Sequence, residues 1–133
     1  MISRTARYAL HVLGILVARP TERLRGEEIA AATGVPANYL AKILNQLRKA
    51  GLVESRKGWG GGFQLQAGAE QRPIRDILVI FDGLESVDRT DCAFGRSACD
   101  AEHPCAMHDE WAGVRDGFTR MITATKVADL AEH

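Results

Sequence analysis

The chain has 133 residues, 46% hydrophobic and 26% charged, which fits one ordinary globular domain, or a small domain with an appended element, and not a disordered chain. No apolar run approaches the roughly 18 residues of a membrane helix, and the stretch 9–18 is interrupted by His11 and runs into Arg19 and Pro20 with no small-residue cleavage site behind it, so neither a membrane span nor a signal peptide is expected and the expected location is the cytoplasm. The formal net charge of 0 hides an asymmetry: residues 1–60 carry ten Lys/Arg against four Glu, and residues 61–133 carry seven basic against thirteen acidic residues, so the front half suits a polyanion-binding module.

Ser3 or Thr5 can cap a first helix that runs to about Arg19, with Ala9, Val12, Leu13, Leu16 and Val17 at helical spacing. Pro20-Thr21 ends it. A short second helix over 26–33 has Glu27 and Glu28 in its first turn, where the helix dipole favours acids. Gly34-Val35 makes a turn, and Pro36 suits the first turn of a third helix. That helix carries Leu40, Ile43, Leu44 and Leu47 on one face and stops at Gly51, a residue free to close a helix in the left-handed conformation. Helix, Gly-containing turn, helix is the arrangement of a DNA-binding helix-turn-helix. Two strand-like runs follow, 52–56 and 63–66, separated by Lys57-Gly58-Trp59-Gly60-Gly61-Gly62. A hairpin directly after a recognition helix is a wing. A phosphate-cradling glycine loop would need a following helix and a Lys-Ser/Thr pair, and both are missing from the sequence here.

Pro73 opens a fourth helix holding Ile74, Ile77, Leu78 and Phe81, and Asp82-Gly83 closes it. Residues 84–104 read as loop. A long last helix is predicted from near Ala106 to about Leu130, its apolar set being Trp111, Val114, Phe118, Met121, Ile122 and Thr125. So long a helix has little core of its own to cover in so small a chain, which predicts a homodimer built along it.

All three cysteines lie within fourteen residues, as Cys92, Cys99 and Cys105, in the pattern C-x6-C-x5-C-x2-H that ends at His108. Three thiolates with a nearby imidazole form a soft ligand set suited to an iron–sulfur cluster or to zinc. An odd cysteine count argues against a disulfide framework, and three cysteines on one polar, glycine-bearing loop are poorly explained by core packing. Zinc knuckles place two ligands two to four residues apart. Only Cys105 and His108 are that close, and the wider intervals suit a loop wrapped over a larger object. His103 and His108 are both candidates for a fourth ligand.

Arg7-Tyr8-Ala9-Leu10, Asn38-Tyr39-Leu40, Leu47-Arg48-Lys49-Ala50-Gly51-Leu52-Val53, the Gly60-Gly61-Gly62 wing and the three-cysteine loop together resemble the Rrf-type family of winged-helix bacterial transcription regulators, and the cysteines resemble its iron–sulfur branch (IscR-, NsrR- and RirA-like). The resemblance covers nearly the whole chain. It implies a homodimer that presents its recognition helices to a pseudo-palindromic operator in double-stranded DNA, with the cluster loop beside the dimerising helix. It also implies that Cys92, Cys99 and Cys105 are cluster ligands, with His108 placed as the histidine ligand is in IscR-like members. The first cysteine interval is one residue longer than the commonest IscR-like spacing, and Arg7 stands where NsrR-like members carry an aspartate ligand.

The expected architecture is mainly α with a small β-hairpin: a winged helix-turn-helix over 1–70, then a cluster-binding loop and dimerisation helix over 71–133. The expected function is a DNA-binding transcription regulator, a repressor and not an enzyme. Its iron–sulfur cluster, [2Fe–2S] in preference to [4Fe–4S], would sense redox state, nitric oxide or iron and cluster status. Asn38 and Lys42, one helical turn apart, suit base edges in the major groove. Tyr39 suits a phosphate or packs under the helix. Arg56 and Lys57 suit backbone or minor groove, with Trp59 at the wing tip, and Arg4 and Arg7 add phosphate contacts. The alternative is a regulator of the same fold switched by zinc or by bare thiols.

Overall fold

The computed structural model describes residues 2–88, 92–96 and 100–131. Among them lie six helices, α1 (Arg4–Ala18), α2 (Gly26–Thr33), α3 (Ala37–Lys49), α4 (Ile74–Asp82), α5 (Leu84–Val87) and α6 (His108–Ala124), and two strands, β1 (Val53–Arg56) and β2 (Gly62–Leu65). Local chemistry sets most of the boundaries. Ser3 caps α1, its Oγ accepting from Ala6 N at 3.1 Å. Gly34 closes α2 in the left-handed conformation, at φ 74°. The α3 terminus is a two-bond glycine cap: Leu52 N donates to the Leu47 carbonyl at 3.0 Å and Gly51 N to that of Arg48 at 3.1 Å, with Gly51 at φ 77°. Pro36 stands one place earlier than expected. It is extended, at ψ 140°, and precedes α3 as its cap residue.

β1 and β2 pair antiparallel from Val53↔Leu65 to Arg56↔Gly62. On the other side of β2, Phe63 exchanges both backbone hydrogen bonds with Leu24, at 2.9 and 2.7 Å, so the wing is anchored to the segment that leads into α2. This explains the glycines. A Cβ on Gly62 would meet the Leu24 carbonyl oxygen at 2.7 Å, and one on Gly61 would meet that of Arg56 at 2.2 Å.

The main core joins Val12, Leu13 and Leu16 of α1, Ile29 of α2 and Ile43 and Leu47 of α3 to Leu24, Leu52 and Ile77, all buried. A second cluster joins Ala6, Ile74, Leu78, Val87, Phe118 and Ile122. Two sequence expectations are corrected. Residues 84–104 are not all loop, because α5 forms a single turn whose Val87 plugs the second cluster. The last helix stops at Ala124, short of Leu130. Thr125 is extended, Lys126 pairs with Pro73, and 127–130 form a short 3₁₀ turn against α1. The physical reason is competition for backbone partners: Thr125 O accepts from Ile74 N at 2.9 Å and Val127 N donates to Arg72 O at 2.8 Å, while Val127 buries completely. α6 therefore covers core of its own through Phe118 and Ile122, yet leaves Met107, Val114 and Met121, spaced seven residues apart, 42–50% exposed. No helix among the described residues is long and apolar enough to cross a membrane.

Candidate nucleic-acid interface and cysteine centre

With Leu40, Ile43, Leu44 and Leu47 buried, helical geometry puts Asn38 and Lys42 on the opposite face of α3. Both are exposed. Asn45, three residues beyond Lys42, shares that face and was missed by the sequence reading, although its i+7 spacing from Asn38 was a sufficient signal. Its Oδ1 accepts from Arg48 Nη2 at 2.9 Å. Tyr39 is both open to solvent and packed against a second ring. It stays 42% exposed, and its ring meets Tyr8 edge-on with centroids 5.9 Å apart. The contact brings the α1 face carrying exposed Arg4 and Arg7 alongside the start of α3, since residues 4, 7 and 8 are helical neighbours.

Arg56 and Lys57 are exposed where the wing leaves β1, and Trp59 at its tip is fully exposed. Arg25 was also missed. Its Nη2 donates to the Gly58 carbonyl at 3.1 Å, and its backbone N donates to Glu28 Oε1 at 3.2 Å, so one residue ties the wing tip to the start of α2. Arg23 pairs with Glu54 at 3.1 Å. Between them lies a cleft of about 540 Å³ that Trp59 and Gln64 also line. Nothing in the local sequence around Arg25 announces a partner thirty-three residues away.

In the second half, Cys92 is buried and Cys105 half-buried, and both are free. Their sulfurs are 3.4 Å apart, in contact but well beyond the roughly 2.05 Å of a disulfide. Phe94 N donates to Cys92 Sγ at 3.4 Å. That bond, helped by Cys105 and Arg96 and opposed by burial, holds the Cys92 thiol below its ordinary range. Gly95, at φ 102°, turns the chain beneath it and donates to the Cys92 carbonyl at 3.0 Å. The Cys105 carbonyl accepts from His108 N at 3.1 Å, which places Cys105 immediately ahead of α6 and makes His108 the first residue of that helix. His103 instead faces Asp100, Nδ1 to Oδ2 at 3.0 Å, and this contact lowers the Asp100 carboxyl from its usual range. Cys99 lies outside the described residues. The donor chemistry, two close soft sulfurs of which one is stabilised as thiolate, fits an iron–sulfur cluster or zinc.

Comparison with known proteins identifies the family and the fold. Residues 2–133 match the Rrf2 family, described as iron-dependent transcriptional regulator. A protein of Aquifex aeolicus assigned as an HTH-type transcriptional regulator is 31% identical over 132 residues, covering 98% of this chain and 90% of that protein. IscR of Photorhabdus laumondii is 31% identical over 106 residues, 80% of this chain, and the aligned part spans 63% of that IscR. Among solved structures, CymR of B. subtilis, its global cysteine regulator, superposes with a TM-score of 0.80 at 24% identity, covering 98% of this chain and 95% of that one, and establishes the winged-helix fold. The relatives are transcriptional regulators and not enzymes. By residues, fold and relatives together, the chain belongs to the Rrf2 family of transcriptional regulators.

Proposed function

We propose that the protein is a homodimeric repressor whose operator affinity is set by an iron–sulfur cluster held by Cys92, Cys99, Cys105 and His108. The observation that carries this reading is the Cys92–Cys105 contact at 3.4 Å, immediately ahead of α6, in a chain of an iron-dependent regulator family related to IscR. Residues 1–70 read DNA, and residues 71–133 carry the loop and the dimer helix. When bound, the cluster supplies a centre reactive toward redox change, nitric oxide and iron supply, with [2Fe–2S] preferred for a Cys3His set. The chain does the rest. The Phe94 amide and Arg96 favour the thiolate at Cys92, and the loop leads into α6, whose Phe118 and Ile122 reach the second core cluster. The stripe Met107, Val114, Met121 recurs at the heptad interval that suits a helix lying along its copy.

On DNA, the start of α3 enters the major groove of each half-site, the arrangement in which a two-fold dimer reads a pseudo-palindrome. Asn38 and Lys42 read base edges. Arg4, Arg7 and Tyr39 meet phosphates beside α3, and Arg56, Lys57 and Trp59 meet the backbone and minor groove through the wing. Replacing Lys57 with Ala is expected to weaken binding to every duplex and to flatten the salt dependence by about one unit of slope, whereas Asn38→Ala relaxes sequence preference by about 1–3 kcal/mol. Anisotropy titrations on a selected site and on random duplex check this, and identical effects of the two changes on both duplexes would sink the docking.

The same sulfur contact favours a second reading, in which zinc or oxidation of the two thiols is the switch. An ultraviolet–visible spectrum of protein purified without oxygen, with iron, sulfide and zinc assayed on the same sample, separates the two. Brown protein with iron and sulfide carries the cluster reading. Colourless protein with one zinc per chain, or metal-free after anaerobic reconstitution, replaces it with the zinc or the thiol switch.

A further inference from the structure

The glycine cap of α3 satisfies the carbonyls of Leu47 and Arg48 but not that of Ala50, one of the last acceptors at the helix terminus. That carbonyl is taken by a residue from outside the winged helix: Arg72 Nη1 donates to Ala50 O at 3.0 Å. A cation at a helix C-terminus also meets the negative end of the helix dipole. Arg72 is aimed by three further bonds. Its Nε donates to Asp76 Oδ2 in the first turn of α4 at 3.0 Å, its N–H to the Ala69 carbonyl at 3.1 Å, and its own carbonyl accepts from Val127 N at 2.8 Å.

The last of these bonds matters most. Residues 125–130, the strap that follows α6, are fastened to the same point by Thr125 O with Ile74 N at 2.9 Å and by Lys126 Nζ with Gln71 Oε1 at 3.2 Å, and by Val127, which is buried in the main core. One residue therefore bonds both the end of the recognition helix and the strap by which α6 is tied to the core. Its guanidinium is engaged by a carboxylate and a carbonyl, at the end of α3 opposite to Asn38.

We propose that Arg72 is a positioning residue for DNA recognition, one that sets the tilt of α3 against the C-terminal strap and so makes the placement of Asn38 and Lys42 depend on where α6 ends. This rests on the reading of α3 as the base-reading helix. Displacement of α6 then reaches α3 through a contiguous pair of hydrogen bonds, and a coupling test is what such a path requires.

The test uses the full chain, a preferred duplex selected by the unaltered protein from a random pool, and a random duplex. Arg72→Gln is expected to lower affinity for the preferred duplex about tenfold. Random-duplex affinity and its salt slope stay unchanged, and the Gly51 and Leu52 amides exchange faster with solvent. Arg72→Lys restores most of the affinity, and Asp76→Asn, which frees the guanidinium without removing it, shows a smaller loss of the same kind should Arg72→Gln not fold. Combining Arg72→Gln with Val127→Ala should cost less than the two changes summed, as expected for one connected unit. Equal loss on both duplexes makes Arg72 a phosphate contact or a general fold residue, and unchanged preference in a folded Arg72→Gln protein overturns the proposal alone. Failure of the unaltered protein to prefer any duplex overturns the reading of α3 as well.

Discussion

Alanine at Gly61 is expected to dislodge the wing while the helical core stays folded. The added Cβ would sit 2.2 Å from the Arg56 carbonyl oxygen and 2.9 Å from that of Gly58. Both are backbone atoms, so no rotamer change relieves the contact, and the hairpin must open. Overpacking of this kind costs about 1–3 kcal/mol, and here it also breaks the turn bond from Gly61 N to the Gly58 carbonyl. Gly62→Ala should behave alike for a different reason. Gly62 sits at φ 137°, and its Cβ would strike the Leu24 carbonyl on which Phe63 N depends. Gly58→Ala is the control. Nothing lies within 4 Å of its Cβ site, so it carries only the left-handed backbone cost of roughly 1–2 kcal/mol. Because the wing carries Arg56, Lys57 and Trp59, Gly61→Ala should lose at least tenfold in affinity for random duplex and flatten its salt dependence, with helical circular dichroism preserved. Thermal melts and salt-dependent anisotropy on the three variants check this. A Gly61→Ala protein no worse than Gly58→Ala would show that the wing tolerates opening and that its glycines are not there for space.

The winged helix was legible in the sequence because its local signals and its packing agree. Ser3 caps α1 as the side-chain chemistry predicts, Gly34 and Gly51 are left-handed where a helix must stop, and the apolar face of α3 is the buried one. The failures have other causes. The end of α6 was misplaced because residues 125–130 are drawn out of helix by partners at 72–74, about fifty residues earlier, which no local periodicity records. α5 is a single turn, too short for a period to show. Arg25 and Arg72 act through carbonyls thirty-three and twenty-two residues away, and a charged residue facing a distant carbonyl leaves no pattern in the chain. The cysteine centre falls between these cases. Residue types and spacing point to a soft ligand set, but the 3.4 Å contact between Cys92 and Cys105, thirteen residues apart, and the amide aimed at Cys92 depend on the path of the loop, which no local pattern records.

Replacement of Cys105 by alanine tests that centre with the largest readout. Cys105 is half-buried and lies outside both core clusters, so losing one sulfur should leave the fold intact, with a stability change within about 1 kcal/mol. Under the cluster reading, the same change removes a ligand: visible absorbance, iron and sulfide should vanish together from protein prepared without oxygen. Affinity for the selected duplex should shift at least tenfold, about 1.4 kcal/mol of coupling between the two sites. His108→Ala, at the first residue of α6, should instead leave partial iron with an altered spectrum, because the three thiolates remain. The pairing of readouts is what decides. Colour lost with DNA affinity unchanged would reduce the centre to a structural part. Affinity shifted in a protein that never held iron or zinc would assign the switch to the thiols, since alanine at Cys105 removes the one described sulfur that touches Cys92.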